Sequence, residues 1–278
     1  MRKRSLATFA LFAVSATGLA FADAVTINTN ATQLANAVTA GNTGVSVTNA
    51  TLQGQSNGTA ASTGTFTNIY GLASGAVLST GNAADYGSGP NTSPSTTTAY
   101  GVAATAAQNV LLNPLTNGFT SHFDTTELDL TFTVNPSVSN IFFNVAFGSE
   151  EFPEFVGSQF VDAFGLYLNG TNIAFVNGLP VNIDHPCFTA LAGTELDGVL
   201  ACNGNPVNTF SGAVHPGSNT LTFIIADTGD AAYDTTAYIG ALGTSNPGTP
   251  SVPEPSSIAL LGTGILAVAG AMRRRLSA

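Results

Sequence analysis

Every Lys and Arg of this chain lies at one of its two ends: Arg2, Lys3 and Arg4 at the start, Arg273, Arg274 and Arg275 at the finish. Between them the chain carries acids and no basic side chain except histidine, and the net charge is −10 at pH 7. Whatever folds there must manage its carboxylates without Lys or Arg partners. Packed carboxylates then have only water, His, backbone N–H groups or a metal to offset their repulsion. The same distribution excludes a nucleic-acid binder, because phosphate contacts are made by Lys and Arg.

The basic clusters flank apolar runs, the pattern by which a chain is oriented across a membrane. Arg2-Lys3-Arg4, the apolar stretch from Leu6 to Leu19 and the small-x-small triplet Ala20-Phe21-Ala22 predict a secretory signal peptide over residues 1–22 and passage through the Sec export machinery. Ala22-Asp23-Ala24 offers a second cut. At the other end, Val252-Pro253-Glu254-Pro255-Ser256 precedes an apolar run over 257–272, closed by Arg273, Arg274 and Arg275 as a stop-transfer signal. At ~1.5 Å per residue this run spans roughly 24 Å, enough for a thin or locally compressed bilayer. Polar motif, short transmembrane helix and basic stop, over residues 252–278, resemble the PEP-CTERM sorting signal. The resemblance implies handling by an exosortase, transient residence in the inner membrane of a Gram-negative bacterium, and then the cell surface or extracellular matrix. A retained single-pass anchor is the alternative. The same tail is sometimes catalogued as an "ice-binding protein C-terminal" segment, a label that does not itself imply ice binding.

Residues 23–242 remain as the cargo, with 243–251 as a Gly/Pro/Ser/Thr linker. Frequent Gly, Asn and Thr punctuate short apolar runs, which predicts an all-β fold: a jelly-roll-like β-sandwich with one or two short helices. Leu128, Leu130, Phe132 and Val134 alternate with Glu127, Asp129, Thr131 and Thr133, a strand with one wet face. Ile141, Phe143, Val145 and Phe147 form a second such series, expected to pair with the first as a hairpin. Asn169-Gly170 predicts a tight turn between Phe164–Leu168 and a return strand over Ile173–Val176. Leu221, Phe223 and Ile225 mark a further strand, and Tyr238-Ile239 a last short one. Helix is expected over Leu34–Val38, capped by Thr32, and within Ala103–Leu112. Asp85–Thr98 reads as a long surface loop.

Cys187 and Cys202 are the only cysteines, and in an exported chain they predict a disulfide. His185 stands near Cys187, but one His and one Cys do not make a zinc site.

Four stretches of the cargo resemble the choice-of-anchor L domain, a bacterial surface domain. They are Leu34-Ala35 through Gly44–Asn49; Gly71–Gly81 with Gly89-Pro90-Asn91; Phe147-Gly148-Ser149-Glu150-Glu151-Phe152-Pro153-Glu154-Phe155 continuing through Phe160–Phe164; and Ile225-Ala226-Asp227-Thr228-Gly229-Asp230 with Tyr233-Asp234-Thr235. The resemblance implies an extracellular β-sandwich with no established enzymatic activity. Two positions depart from the family pattern: Phe152, where Tyr is usual, and Val161-Asp162, where Asn-Asp is usual. The second removes one oxygen ligand.

Apart from any family, the carboxylates concentrate where apolar strands end. Glu150, Glu151 and Glu154 follow one predicted strand, with Asp162 beyond; Asp227, Asp230 and Asp234 follow another. Two like charges ~5 Å apart cost on the order of 1 kcal/mol in water and several times that at an effective dielectric constant near 20. A hard divalent cation removes the penalty, so the expectation is a structural Ca²⁺ held by some of Glu150, Glu151, Asp162, Asp227, Asp230 and Asp234. The spacing does not fit an EF-hand. The competing expectation is a solvated acidic surface.

Glycoside hydrolysis by Glu150, Glu151 and Asp162 would need a sugar-shaped cleft, and the chain offers neither Trp nor a basic residue there. No Gly-x-Ser-x-Gly occurs, and His122, His185 and His215 have no obvious catalytic partners. An ice-binding array would need a strict Thr repeat, which is absent. The expectation is a non-enzymatic envelope, biofilm or adhesion protein, with extracellular polysaccharide as a partner.

Overall fold

The structure, a computed structural model, describes residues 24–248 apart from Ala192. The signal peptide, the sorting motif at 252–256, the apolar run at 257–272 and the arginines at 273–275 lie outside the described residues. Among the described residues no helix is long and apolar enough to cross a membrane.

The chain opens with β1 (Ala24–Ile27), α1 (Ala31–Thr39), β2 (Val45–Gln53), β3 (Thr63–Ile69), β4 (Leu72–Ser79) and the short β5 (Ser88–Gly89). Then follow α2 (Ala106–Leu112), β6 (His122–Val134), β7 (Asn140–Ser149), β8 (Ala163–Leu168), β9 (Thr171–Asn172), β10 (Phe175–Val176) and β11 (Leu179–Asn182). The last elements are β12 (Phe188–Thr189), β13 (Gly193–Thr194), β14 (Gly198–Leu200), β15 (Val207–Ala213), β16 (Ser218–Thr228) and β17 (Thr235–Gly243).

These strands form two antiparallel sheets. One runs β1-β3-β4-β17-β7-β14-β12, with β15 also on β7; the other runs β10-β11-β8-β16-β6-β2, with β9 on β8. This is the expected all-β sandwich with two short helices. Its interior is the set of inward-facing positions read from the alternation. Leu128, Leu130 and Phe132 of one sheet meet Ile141, Phe143, Val145 and Phe147 of the other, all at most 1 % exposed. Phe143 stacks on Phe210 and meets Phe223 edge-on, with ring centres 5.9 and 6.0 Å apart, the offset and T-shaped geometries that aromatic quadrupoles favour.

The expected hairpin between the Leu128 and Ile141 runs is not formed. β6 pairs with β16 and β2, whereas β7 pairs with β17, β14 and β15, so the turn at 135–139 crosses from sheet to sheet. Alternation fixes which face of a strand is apolar, and two apolar faces can be buried against each other as well as side by side. The wet face of β6 is also partly covered. α2 packs over it, Leu112 joins Ile224 and Tyr167 in a small cluster, and Glu127 is buried at 8 % exposure.

Asn169-Gly170 does make the tight turn, with Leu168 opposite Thr171. The return strand is shorter than expected, and Phe175-Val176 turns away to pair with β11. Tyr238-Ile239 belongs to a strand of nine residues, longer than its short apolar core suggests. The first helix is capped by Asn30, whose side chain accepts from the Gln33 N–H, and not by Thr32. α2 carries a reciprocal capping box between Thr105 and Gln108, which satisfies two otherwise orphaned donors.

The linker does not begin free. Gly243 ends β17, Thr244 N–H donates to Thr43 O (2.8 Å), and the Asn144 amide donates to Gly248 O (3.0 Å). Cys187 and Cys202 form the expected disulfide, with Cα atoms 4.9 Å apart across a separation of 15 residues. Closing a loop of that size removes unfolded-state freedom that stabilises the fold by about 3 kcal/mol in the chain-entropy model. The trio His185, Cys187 and Cys202 is close enough to hold a metal geometrically, but the disulfide consumes both thiols. His185 is occupied with Val176 O and the Cys187 N–H.

Candidate functional site

The carboxylates gather at one end of the sandwich because strand pairing brings four chain ends there. In the first sheet Ser149, the last residue of β7, lies opposite Thr235, the first of β17. In the second, Ala226 near the end of β16 lies opposite Ala163, the first residue of β8. Glu150 and Glu151 therefore leave one sheet beside Asp234, and Asp162 enters the other beside Asp227. The Thr235 hydroxyl ties the sheets together, lying 2.9 Å from Ser149 Oγ and donating to Asp162 Oδ2 at 2.5 Å.

This end is not a solvated acidic surface. Glu150, Asp162, Asp234 and Asp124 are 0 % exposed, and Glu151 and Asp227 are 1 % exposed. Asp230 is half-buried, with Oδ1 accepting from the Ala232 N–H at 3.1 Å. Glu154 is exposed.

The buried acids fall into two kinds. Asp234 is saturated: Tyr86 Oη, Thr97 Oγ1 and the Thr98 N–H all donate to it at 2.9–3.3 Å. Gly81 makes room for it, since a Cβ there would stand 1.5 Å from Asp234 Oδ2. Asp124, unremarked in the sequence, is saturated in the same way by the N–H groups of Tyr100, Gly101 and Val102 at 2.7–3.1 Å. Asp162 accepts from the Thr228 N–H at 2.9 Å and from Thr235. By contrast, both Asp227 oxygens and Glu151 Oε2 are buried without any hydrogen-bond partner. The Thr80 hydroxyl sits near enough to Asp227 to ease its charge, but not in hydrogen-bonding geometry.

Asp162, Asp227 and Glu151 all have pKa values pushed well above the carboxylate range. Burial is the main cause; Asp162 and Asp230 add to it for Glu151, and Asp162 and Asp234 for Asp227. Glu150 is pushed up to about 9 by burial first, and then by Asp197.

The charges acting on Glu150 are Asp197, Glu195 and Asp234, whereas those acting on Glu151 are Asp162 and Asp230. Some of the six acids were expected to hold a cation, and their surroundings differ. Asp162 acts on both Glu151 and Asp227, and Asp230 on Glu151 and Asp162; Asp234, although engaged by donors, also acts on Asp162 and Asp227.

As hard oxygen donors this group fits Ca²⁺ chemically. Its spacing is wider than a cation needs. Oxygens around one Ca²⁺ at ~2.3–2.6 Å must lie within roughly 5 Å of one another, and no three carboxylates among the described residues meet a 4.8 Å limit. A bound cation would draw them together.

The segment expected as a surface loop is largely exposed and irregular from residue 90 to 98, and it also straps across this end. From Asn91 to Val102 it donates in turn to Asp197, Glu195, Glu150, Asp234 and Asp124. Nothing in its Ser/Thr composition announced that its N–H groups serve acids so far away in sequence.

The profile of the Choice-of-anchor L domain matches residues 23–189, and that of the PEP-CTERM protein-sorting motif matches 251–275. No curated protein and no solved structure matches the chain. The sorting motif implies export, processing by exosortase, and a surface or extracellular location in bacteria. Both matched families are anchor and sorting domains and neither is an enzyme family.

Proposed function

The chain belongs to the choice-of-anchor L domain family, and on that premise we propose that it is a non-enzymatic surface or matrix protein whose sandwich is completed by Ca²⁺ bound through Glu151, Asp162, Asp227 and Asp230. One observation carries this reading: Asp227 is buried with both oxygens unpartnered, beside Asp162, in a domain without Lys or Arg. A buried carboxylate left in that state is expensive, and either a proton or a cation must offset it. At the pH outside a cell, a divalent cation does so without protonating several acids at once. The domain would run from residue 23 to about the end of β17, because strands essential to both sheets lie beyond residue 189.

The burial that favours a cation disfavours hydrolysis. Glu150, Glu151 and Asp162 have essentially no exposure and cannot flank a sugar. Nor does a histidine serve them: His122 bonds Thr228 and Asn113, and burial lowers its pKa to about 4. Envelope, biofilm or adhesion roles, with polysaccharide as the partner, follow from compartment and family. Transient lodging of the tail in the inner membrane follows from its apolar run and arginines.

Thermal melting of the exported protein in excess Ca²⁺ and in chelator tests the cation. A higher midpoint in Ca²⁺, with the difference reduced by Asp227→Asn, is expected. Identical midpoints for the unaltered protein would reject the site.

A further inference from the structure

We propose a second divalent-cation site, formed by Glu150, Glu195 and Asp197 beneath the strap and distinct from the Asp227 group. It rests on the same reading, that cations neutralise the carboxylates of this end, but on different residues.

The divergence of two neighbouring glutamates is the starting point. At the end of β7 the charges acting on Glu151 are those of Asp162 and Asp230, whereas Glu150 follows Ser149, which pairs with Gly198 next to the segment that carries Glu195 and Asp197. Glu150 is 0 % exposed; its Oε2 accepts from the Thr96 N–H at 3.2 Å, and its Oε1 has no partner. The pairing of Ser149 with Gly198 sets Asp197 beside it, and Asp197 has the same defect: Oδ1 accepts from the Asn91 amide, and Oδ2 is buried and unpartnered. Two facing carboxylates each hold one oxygen out of water with no donor to meet it.

Glu195 completes the group. Oε1 accepts from the N–H groups of Thr92 and Ser93 at 2.9 and 2.5 Å, and the Thr92 hydroxyl lies 3.0 and 3.1 Å from its two oxygens. Those bonds fix the carboxylate against the strap. The strap is therefore anchored to the acids it covers, and its exposed turn at Asn91 and Thr92 leaves a short route from solvent. These three carboxylates also stand wider apart than one cation needs, so a cation here draws together oxygens of Glu150 and Asp197, with Glu195 or the Thr92 hydroxyl beside them. The donor set is all oxygen, which selects a hard cation such as Ca²⁺ over Zn²⁺.

The tyrosines provide a readout. The chain has no Trp, and Tyr70 and Tyr86 are close enough to Glu150 for its charge to act on both. Tb³⁺, which takes Ca²⁺ sites, would be excited through them. Tyrosine-sensitised Tb³⁺ luminescence should be titrated on the exported protein, on Asp197→Asn and on Asp227→Asn, with melting curves to establish that each variant is folded. Two equivalents on the unaltered protein, one surviving in each variant, are expected. Glu150→Gln should reproduce the loss seen with Asp197→Asn if either variant alone proves unstable. A single equivalent lost in Asp227→Asn and untouched in Asp197→Asn overturns the second site and leaves the first. A single equivalent lost in both overturns the separation into two sites. No sensitised emission on the unaltered protein overturns both.

Discussion

In chelator, the melting temperature of the exported protein should fall as the pH is raised from 5 to 9, by on the order of 10 °C after allowance for solvent screening. The sign follows from the direction of the shifts. Glu150, Glu151, Asp162 and Asp227 all bind protons more tightly in the folded state than in the unfolded chain. Such groups stabilise the fold fully below their unfolded values near 4, and that stabilisation is lost as the pH rises through their folded values, about 9 for Glu150. Ordinary surface carboxylates behave oppositely or not at all in this window. Excess Ca²⁺ should flatten the dependence, because a cation binds the ionised form and binds it better as protons leave. A melting temperature that is flat from pH 6 to 9 in chelator would mean that these acids titrate as exposed groups do.

Asp124→Ala should be the most damaging single change outside the hydrophobic core. Its carboxylate accepts three successive N–H groups from the strap. Removing an acceptor leaves each donor unmet at about 1–3 kcal/mol apiece where it stays buried. A total of about 3–5 kcal/mol corresponds to roughly 10 °C in a domain of this size. Relief of repulsion on Asp227 recovers a little of this, since Asp124 is among the charges acting there. The strap should also become susceptible to proteolysis between Asn91 and Val102, where it loses an anchor. Asp124→Asn retains one acceptor oxygen and should fall between. Glu154→Ala, at an exposed acid of the same region, should change stability by less than about 0.5 kcal/mol.

Much of this was legible in the residues. The period of two at Leu128–Val134 and Ile141–Phe147 identified the inward faces, because burial of one face is what alternation encodes. It could not identify neighbours, and the turn at 135–139 proved to cross between sheets. Acids at the ends of apolar strands pointed to one end of the sandwich, since antiparallel strands return there. Their division was less visible. Glu150 and Glu151 lie just past the end of β7, where strand alternation no longer assigns a side. Asp124 shares the parity of Leu128 and Leu130, but a bulge between Phe123 and Thr126 breaks the alternation there and Asp124 itself has a φ of +46°, so parity alone could not place it. Glu195 and Asp197 stand in the sequence only as acids between Cys187 and Cys202. Their role depends on a strap that reaches them from a hundred residues away, and no local pattern records such a contact.

The central claim is that cations, where Lys and Arg are missing, hold the carboxylates of this end together. Equilibrium dialysis of the exported protein against radioactive calcium at pH 8 tests it most directly. The account predicts saturable retention that is reduced by Asp227→Asn in a protein that still melts cooperatively. No retention by the folded, unaltered protein at millimolar calcium would contradict it.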